Sequence, residues 1–304
     1  MRMYVSASQT PRSDQWLHRY AIALAVCTLF LVVAGASVTS KQAGLSVPDW
    51  PLSYGQVMPQ MTGGVFFEHG HRMVATFVGL LTIGLAIWLA RAEQRAWMRK
   101  LGWTALGAVI VQGLLGGLTV KLLLPPAVSV SHACLAQLFF STTVAIAIFT
   151  SQSWRRGAEI VEDYGKPSLR SLAVVIPVLV LAQIALGAAF RHGAMTVLPH
   201  ILGAMVVAAA ILIVCAFVLH QFPEHRSLRP AAITLMAMTF AQVLLGIGAY
   251  YTRLDAAKNP VAMVVVTVAH VATGALTLAS SVALAIQIRR NVREHAHETH
   301  AVTA

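Results

Sequence analysis

The strongest constraint on this chain is a rhythm of eight long apolar runs separated by short polar breaks. They cover about 20–39, 73–90, 101–120, 128–150, 171–190, 196–219, 231–251 and 261–288. Each is close to the roughly 20 residues that cross a bilayer core. In hydrocarbon a lone strand would leave its N–H and C=O groups unpaired, so every run is expected to be a helix. The sequence therefore predicts an all-α integral membrane protein with eight transmembrane helices. Composition agrees: 11% of residues are charged, against about 25% in ordinary soluble domains. No sizeable soluble domain is left over. The first run is also longer than the roughly 7–15 apolar residues of a signal peptide, and it is read as a retained helix.

The net charge of +11 is spread in a way that excludes nucleic acid as its target. Of the 22 Lys and Arg residues, 16 fall in the N-terminal segment, alternate connections and the C-terminal segment, and 5 fall on the opposite side, with Arg72 at a helix start. Lys and Arg concentrate on the cytoplasmic side of membrane proteins. Both termini are therefore expected in the cytoplasm, with segment 40–67 facing outward. Cys27, Cys134 and Cys215 all lie within apolar runs and form no CxxC pair, so neither a zinc site nor a disulfide framework is indicated.

The chain also repeats itself. Gln112-Gly-Leu-Leu-Gly116, Gln183-Ile-Ala-Leu-Gly187 and Gln242-Val-Leu-Leu-Gly246 recur on odd-numbered helices. The even-numbered helices each carry a histidine after a small residue or proline: His71, His132, His200 and His270. The simplest reading is two pseudo-symmetric four-helix bundles arising from duplication. Residues 1–151 form the first half, 152–170 a cytoplasmic linker and 171–290 the second half. Residues 291–304 are expected to be a disordered tail; its His295, His297 and His300 are read as solvated.

One intramembrane histidine is usually a packing residue. Four at equivalent repeat positions are not, because ionisable groups in a bilayer are costly and mark function. Imidazole is a standard axial ligand of haem iron. Two helices of one bundle, each offering a histidine near the outer face, would sandwich a flat macrocycle: His71 with His132, and His200 with His270. Gly35, Gly116, Gly117, Gly187, Gly246 and Gly248 would let a macrocycle approach the backbone, or would serve ordinary helix packing. The glutamines would hydrogen-bond across helices.

The most informative local sequence is Glu68-His69-Gly70-His71-Arg72. Glu68 and His71 stand three apart on one helix face, so a carboxylate would lie beside any macrocycle held by His71. There it could move protons or stabilise positive charge. The same acid would equally suit a helix N-terminus through the macrodipole.

These residues resemble the haem A synthases. The likeness runs through Gly44-Leu-Ser-Val-Pro-Asp-Trp-Pro51, Tyr54-Gly55, Pro59, Glu68-x-x-His71-Arg72, the Gln-x-x-x-Gly helices and the four histidines. The resemblance implies oxidation of the C8 methyl group of haem O to the formyl group of haem A, the haem of terminal cytochrome oxidases. It implies that His71 and His132 seat the substrate haem, that His200 and His270 hold a resident haem b, and that Glu68 is the catalytic carboxylate. A haem O synthase (farnesyltransferase) as supplier, an electron-transfer partner and the bacterial inner membrane follow from the same likeness; a homo-oligomer is compatible with it. Two departures stand out. Segment 40–67 lacks the cysteine pair of many relatives, and His69 replaces a common tyrosine, read here as a surface histidine at the helix mouth.

Two rivals share some of these features. A di-haem b electron carrier coupled to quinone would use the same four histidines, but has no evident need for an acid in one half alone: Val197 and Thr267 stand where Glu68 would be expected before His200 and His270. A repeat-built transporter would place its site near the midplane, at broken helices.

Overall fold

A computed structural model describes residues 12–295. Among these residues, eight helices are long and apolar enough to cross a membrane. They are α1 (Arg12–Ser40), α2 (Gly63–Ala92), α3 (Ala96–Lys121), α4 (Pro126–Thr150), α6 (Leu169–Arg191), α7 (Leu198–Gln221), α8 (Leu228–Leu254) and α9 (Pro260–Asn291), with a short α5 (Gln152–Arg155) between the halves. Proline opens α4, α7 and α9, at positions where a missing N–H costs nothing because that donor has no intrahelical partner.

The helices outrun the apolar runs at several ends. The largest difference is α2, which begins at Gly63 rather than near residue 73. Polar residues 68–72 end the apolar run but not the helix, because the preceding loop supplies partners for Glu68, His69 and Arg72.

Packing closes two four-helix rings. In the first, α1 touches α2 and α4, and α3 touches the same two; in the second, α6 and α8 stand likewise between α7 and α9. In each ring the histidine-bearing helices, α2 with α4 and α7 with α9, therefore face each other across the axis. The halves meet through α9 on α1 and α4, and through α6 on α4. Val32, Phe140, Ala275 and Ala279 fill that seam.

Each ring is plugged at one end. Leu24, Leu85, Met98, Phe139 and Ile146 fill the first, and Ile176, Ile211, Val218, Leu235 and Leu284 the second. On every helix these residues lie on the far side of the histidine or its facing glycine, toward the basic connections. Lipid is as apolar as leucine, so such plugs hold by close packing rather than by escape from water. They leave the opposite end of each bundle for polar side chains.

Arg191, at the end of α6, fastens the halves at that opposite end. Its Nη2 donates to the Ala36 carbonyl and to Ser40 Oγ, both at 2.7 Å. At the basic end, β1 (Val161–Asp163) pairs in parallel with β2 (Val292–Glu294). The Glu159 N–H donates to Asn291 Oδ1 at 2.9 Å, Ser168 Oγ donates to Glu294 Oε1 at 2.7 Å, and the Arg290 guanidinium lies 4.0 Å over the Trp154 ring. This corrects the expected disordered tail at its start: residues 291–295 are ordered against the linker, and His295 Nδ1 meets Glu162 Oε2 at 3.0 Å. His297 and His300 lie outside the described residues.

Asn291 is buried, so Asn291→Ala strands the Glu159 N–H without its acceptor. An unsatisfied buried group costs about 1–3 kcal/mol. The variant is expected to unfold at a lower temperature in detergent and to be cut faster by protease in the linker. An unchanged midpoint would contradict the staple.

Candidate functional site

The four repeat histidines share one local geometry. Each imidazole lies against a glycine of the preceding helix. A Cβ placed on Gly35 would sit 3.0 Å from His71 Cε1, on Gly116 3.2 Å from His132 Cε1, on Gly187 2.8 Å from His200 Cε1, and on Gly246 3.0 Å from His270 Cε1. A side chain at any of these positions would crowd the ring, so the glycines seat the imidazoles and not only the macrocycle. Gly117 and Gly248 face Trp50 and Val266 instead.

One turn before three of these glycines, the glutamine steadies the histidine. Gln112 Nε2 donates to the His132 carbonyl at 2.9 Å and Gln183 Nε2 to the His200 carbonyl at 2.7 Å. Gln242 Nε2 stands 3.4 Å from His270 Nε2. The expected bonds across helices are present. In α1 the corresponding position is Leu31, so His71 has no such support.

One of the two expected pairs meets directly. The His200 and His270 rings stand 6.3 Å apart, centre to centre. A metal–imidazole bond of roughly 2 Å, with roughly 1 Å more to each ring centre, puts two trans imidazoles roughly 6 Å apart. His71 and His132 lie on α2 and α4, the diagonal helices of the first ring. His71, His132 and His270 each have a buried Nδ1 without a hydrogen-bond partner among the described residues. Among those residues no three His, Cys, Asp or Glu side chains converge as a metal cluster. Paired imidazoles with unspent nitrogens fit an iron that brings its own equatorial ligands, as haem does. They do not fit a bare chelated ion.

The halves differ at their open ends. Segment 41–62 crosses the mouth of the first bundle. Gly44 packs on Leu124 beyond α3, Ser46 on Gly64 of α2, and the Trp50 indole on Gly117 of α3, where a Cβ would lie 2.7 Å from Trp50 Cδ2. Trp50 thus lies beside Gly116, the seat of His132. This contact makes Trp50 part of the loop that covers the bundle mouth. The loop is fixed by α2. Glu68, 4% exposed, accepts from the Val47 N–H at 2.8 Å through Oε2 and from Arg72 Nη2 at 2.6 Å through Oε1. Arg72 Nη1 donates to the Asp49 and Leu52 carbonyls, both at 2.8 Å. Ser53 Oγ stands 2.8 Å from His69 Nδ1. His69 is only 6% exposed, which corrects its reading as a surface histidine: the loop covers it.

Glu68 is therefore bound on both oxygens, a feature that its place three residues before His71 does not reveal. Only the loop supplies the Val47 donor, and no local pattern predicts so distant a contact. Of the basic residues near the outer end, Arg72 serves the loop and Arg191 the seam. Lys41 lies 5.7 Å over the Phe67 ring and Arg253 4.9 Å over that of Phe190. Lys121 is exposed.

Comparisons with known proteins agree with this geometry. Residues 62–200 match the family model described as cytochrome oxidase assembly protein, a stretch that contains Glu68, His71, His132 and His200. The chain is 28% identical over 181 residues to the haem A synthase of Symbiobacterium thermophilum, covering 58% of this chain and 59% of that one. It is 29% identical over 190 residues to the haem A synthase of Shewanella oneidensis, covering 57% and 55%. With that of Shouchella clausii it shares 35% identity over 103 residues, covering 33% and 34%. The matched stretches thus span about half the length of the first two relatives. Together these matches support the haem A synthase family.

Gly187→Val should push His200 off its seat. For a pair that holds haem, the expected result is a lower haem content per chain by pyridine haemochrome assay; unchanged content would contradict the seating. The loop carries a pH prediction. The Gly55 N–H, followed by that of Tyr54, holds the Asp49 carboxyl below its ordinary value. A depressed carboxylate stabilises the fold above its unfolded pKa and loses that contribution as pH falls through the folded one. Deuterium uptake at Tyr54 and Gly55 should stay low through neutral and mildly acidic pH and rise only below the ordinary aspartate range. A rise nearer neutrality would contradict the cap.

Proposed function

We propose that this chain is a haem A synthase, oxidising the C8 methyl group of haem O to a formyl group and so making haem A for cytochrome oxidase. The reading places haem O between His71 and His132 in the first half, 1–151. It places a resident haem b between His200 and His270 in the second, 171–290. The observation that carries it is the asymmetry of the two bundles. Both have histidines seated on glycines, but the first alone has a buried acid, Glu68, beneath a tryptophan-bearing roof. A symmetric carrier of electrons has no use for that difference.

The chemistry is two successive hydroxylations of the methyl carbon, each replacing a C–H hydrogen by a hydroxyl group from water with two electrons and two protons removed, giving a geminal diol that loses water to leave the aldehyde. When bound, haem b supplies a relay for the electrons removed. The residues of the chain do the rest. His71 and His132 fix the macrocycle across the bundle axis. Glu68, on the same helix face as His71, accepts a proton as each C–H bond is broken or stabilises the positive charge that develops. Arg72 orients that carboxylate through their ion pair. Trp50 and the docked loop cover the seat, so that Glu68 and Arg72 are set apart from bulk solvent.

The chain is a multi-pass membrane protein; the distribution of Lys and Arg supports cytoplasmic termini and haem seats toward the outer face. A membrane-bound haem O synthase (farnesyltransferase) is the natural supplier of the substrate, and a separate electron-transfer partner would take up the electrons.

The test is expression with a source of haem O, followed by extraction and identification of the pigments. The native chain should yield haem A. Glu68→Gln keeps the size of the side chain but removes the base, and should abolish haem A while haem O remains bound. Deuterium uptake at Val47 shows whether the loop has stayed docked in that variant. Two bound b-type haems with no conversion by the native chain would favour the di-haem carrier instead.

A further inference from the structure

Haem O differs from haem b by a long isoprenoid tail, and a seat for it must provide somewhere apolar for that tail to lie. The structure holds such a place beside His71. Val26, Cys27 and Phe30 of α1 and Met73, Val74 and Phe77 of α2 line a groove of about 520 Å³. That size lies within the roughly 300–1,000 Å³ typical of small-molecule sites. No lining residue is charged or carries a hydroxyl or amide group. Val74 is one helical turn beyond His71, and Phe30 stands five residues before Gly35, the seat of the His71 ring. At 1.5 Å of rise per residue that is roughly 8 Å. Measured along the helix axes, the groove therefore begins within about two turns of His71 and runs down the α1–α2 seam on the flank of the span, away from the roof. Val26, Phe30, Met73 and Phe77 are exposed on the flank of the span, so the groove opens sideways, where lipid would be.

We infer that this groove receives the isoprenoid tail of the substrate haem and thereby selects haem O over haem b at the first seat. The inference rests on the proposed function, which supplies the tailed substrate. The paired imidazoles recognise only iron, and both bundles offer them alike, so the histidines cannot tell one haem from the other. A tail lying between α1 and α2 reads the one chemical difference that matters. The lateral opening also lets the tail enter from the bilayer while segment 41–62 covers the outer mouth.

The full-length chain, purified and loaded with an equal mixture of haem O and haem b, gives the test. The readout is the ratio of the two haems in the fraction that depends on His71. Cys27→Phe fills the floor of the groove, and Val26→Trp covers it from the rim. Each should shift that ratio about tenfold toward haem b, with the haem held by His200 and His270 unchanged as the control for folding. A ratio that does not move in either variant would overturn the inference and leave the groove to an ordinary acyl chain. Loss of both haems alike would also overturn it. A shifted ratio in the variants, with no haem A formed by the native chain supplied with haem O, would sink the functional reading and leave the selection of haem O standing.

Discussion

An imidazole set against a bare stretch of helix is the contact on which both bundles are built. It occurs four times, at Gly35, Gly116, Gly187 and Gly246, and in each case a methyl group on the glycine would crowd the ring. The close approach fixes where each histidine can point, and diagonal placement in a four-helix ring makes the two rings face each other. The remaining architecture follows from keeping that space open. Apolar plugs close the basic end of each bundle, so the polar ends need not carry the packing. Arg191 ties the halves at the seam through two hydrogen bonds.

On this duplicated frame the chain has built one asymmetric feature. The α1–α2 connection is long enough to cross its bundle, and it is held by a buried pair, Glu68 and Arg72, that spends most of its hydrogen bonds on loop backbone. Breaking a buried pair by removing one partner costs roughly 3–5 kcal/mol, enough to loosen the loop as well as to remove the acid. Under the proposed function Glu68 thus has a structural and a chemical role at once. Loss of activity in a Glu68→Ala variant would not separate them.

Much of this was legible in the sequence because it is periodic. Eight apolar runs gave the spans, and recurrence of Gln-x-x-x-Gly beside a histidine gave the seats and their pairing. What could not be read depends on partners distant in sequence. The start of α2 at Gly63 was hidden because Glu68, His69 and Arg72 look like an interface until Val47, Ser53 and the Asp49 carbonyl are brought to them. Trp50 against Gly117 joins residues with no shared pattern, and the ladder of Val161–Asp163 with Val292–Glu294 falls in segments too short and polar to stand out. The glycines were visible, but their role was divided between macrocycle and packing; the structure sets four of them against the repeat imidazoles.

The central claim is that two similar seats have taken different tasks, one for a substrate haem and one for a resident haem. The most direct measurement is the pigment content of His71→Ala beside His270→Ala, each expressed with a source of haem O. The account predicts that His71→Ala keeps haem b but neither holds haem O nor makes haem A, whereas His270→Ala loses haem b yet still captures haem O. Identical losses of both pigments in the two variants would contradict it.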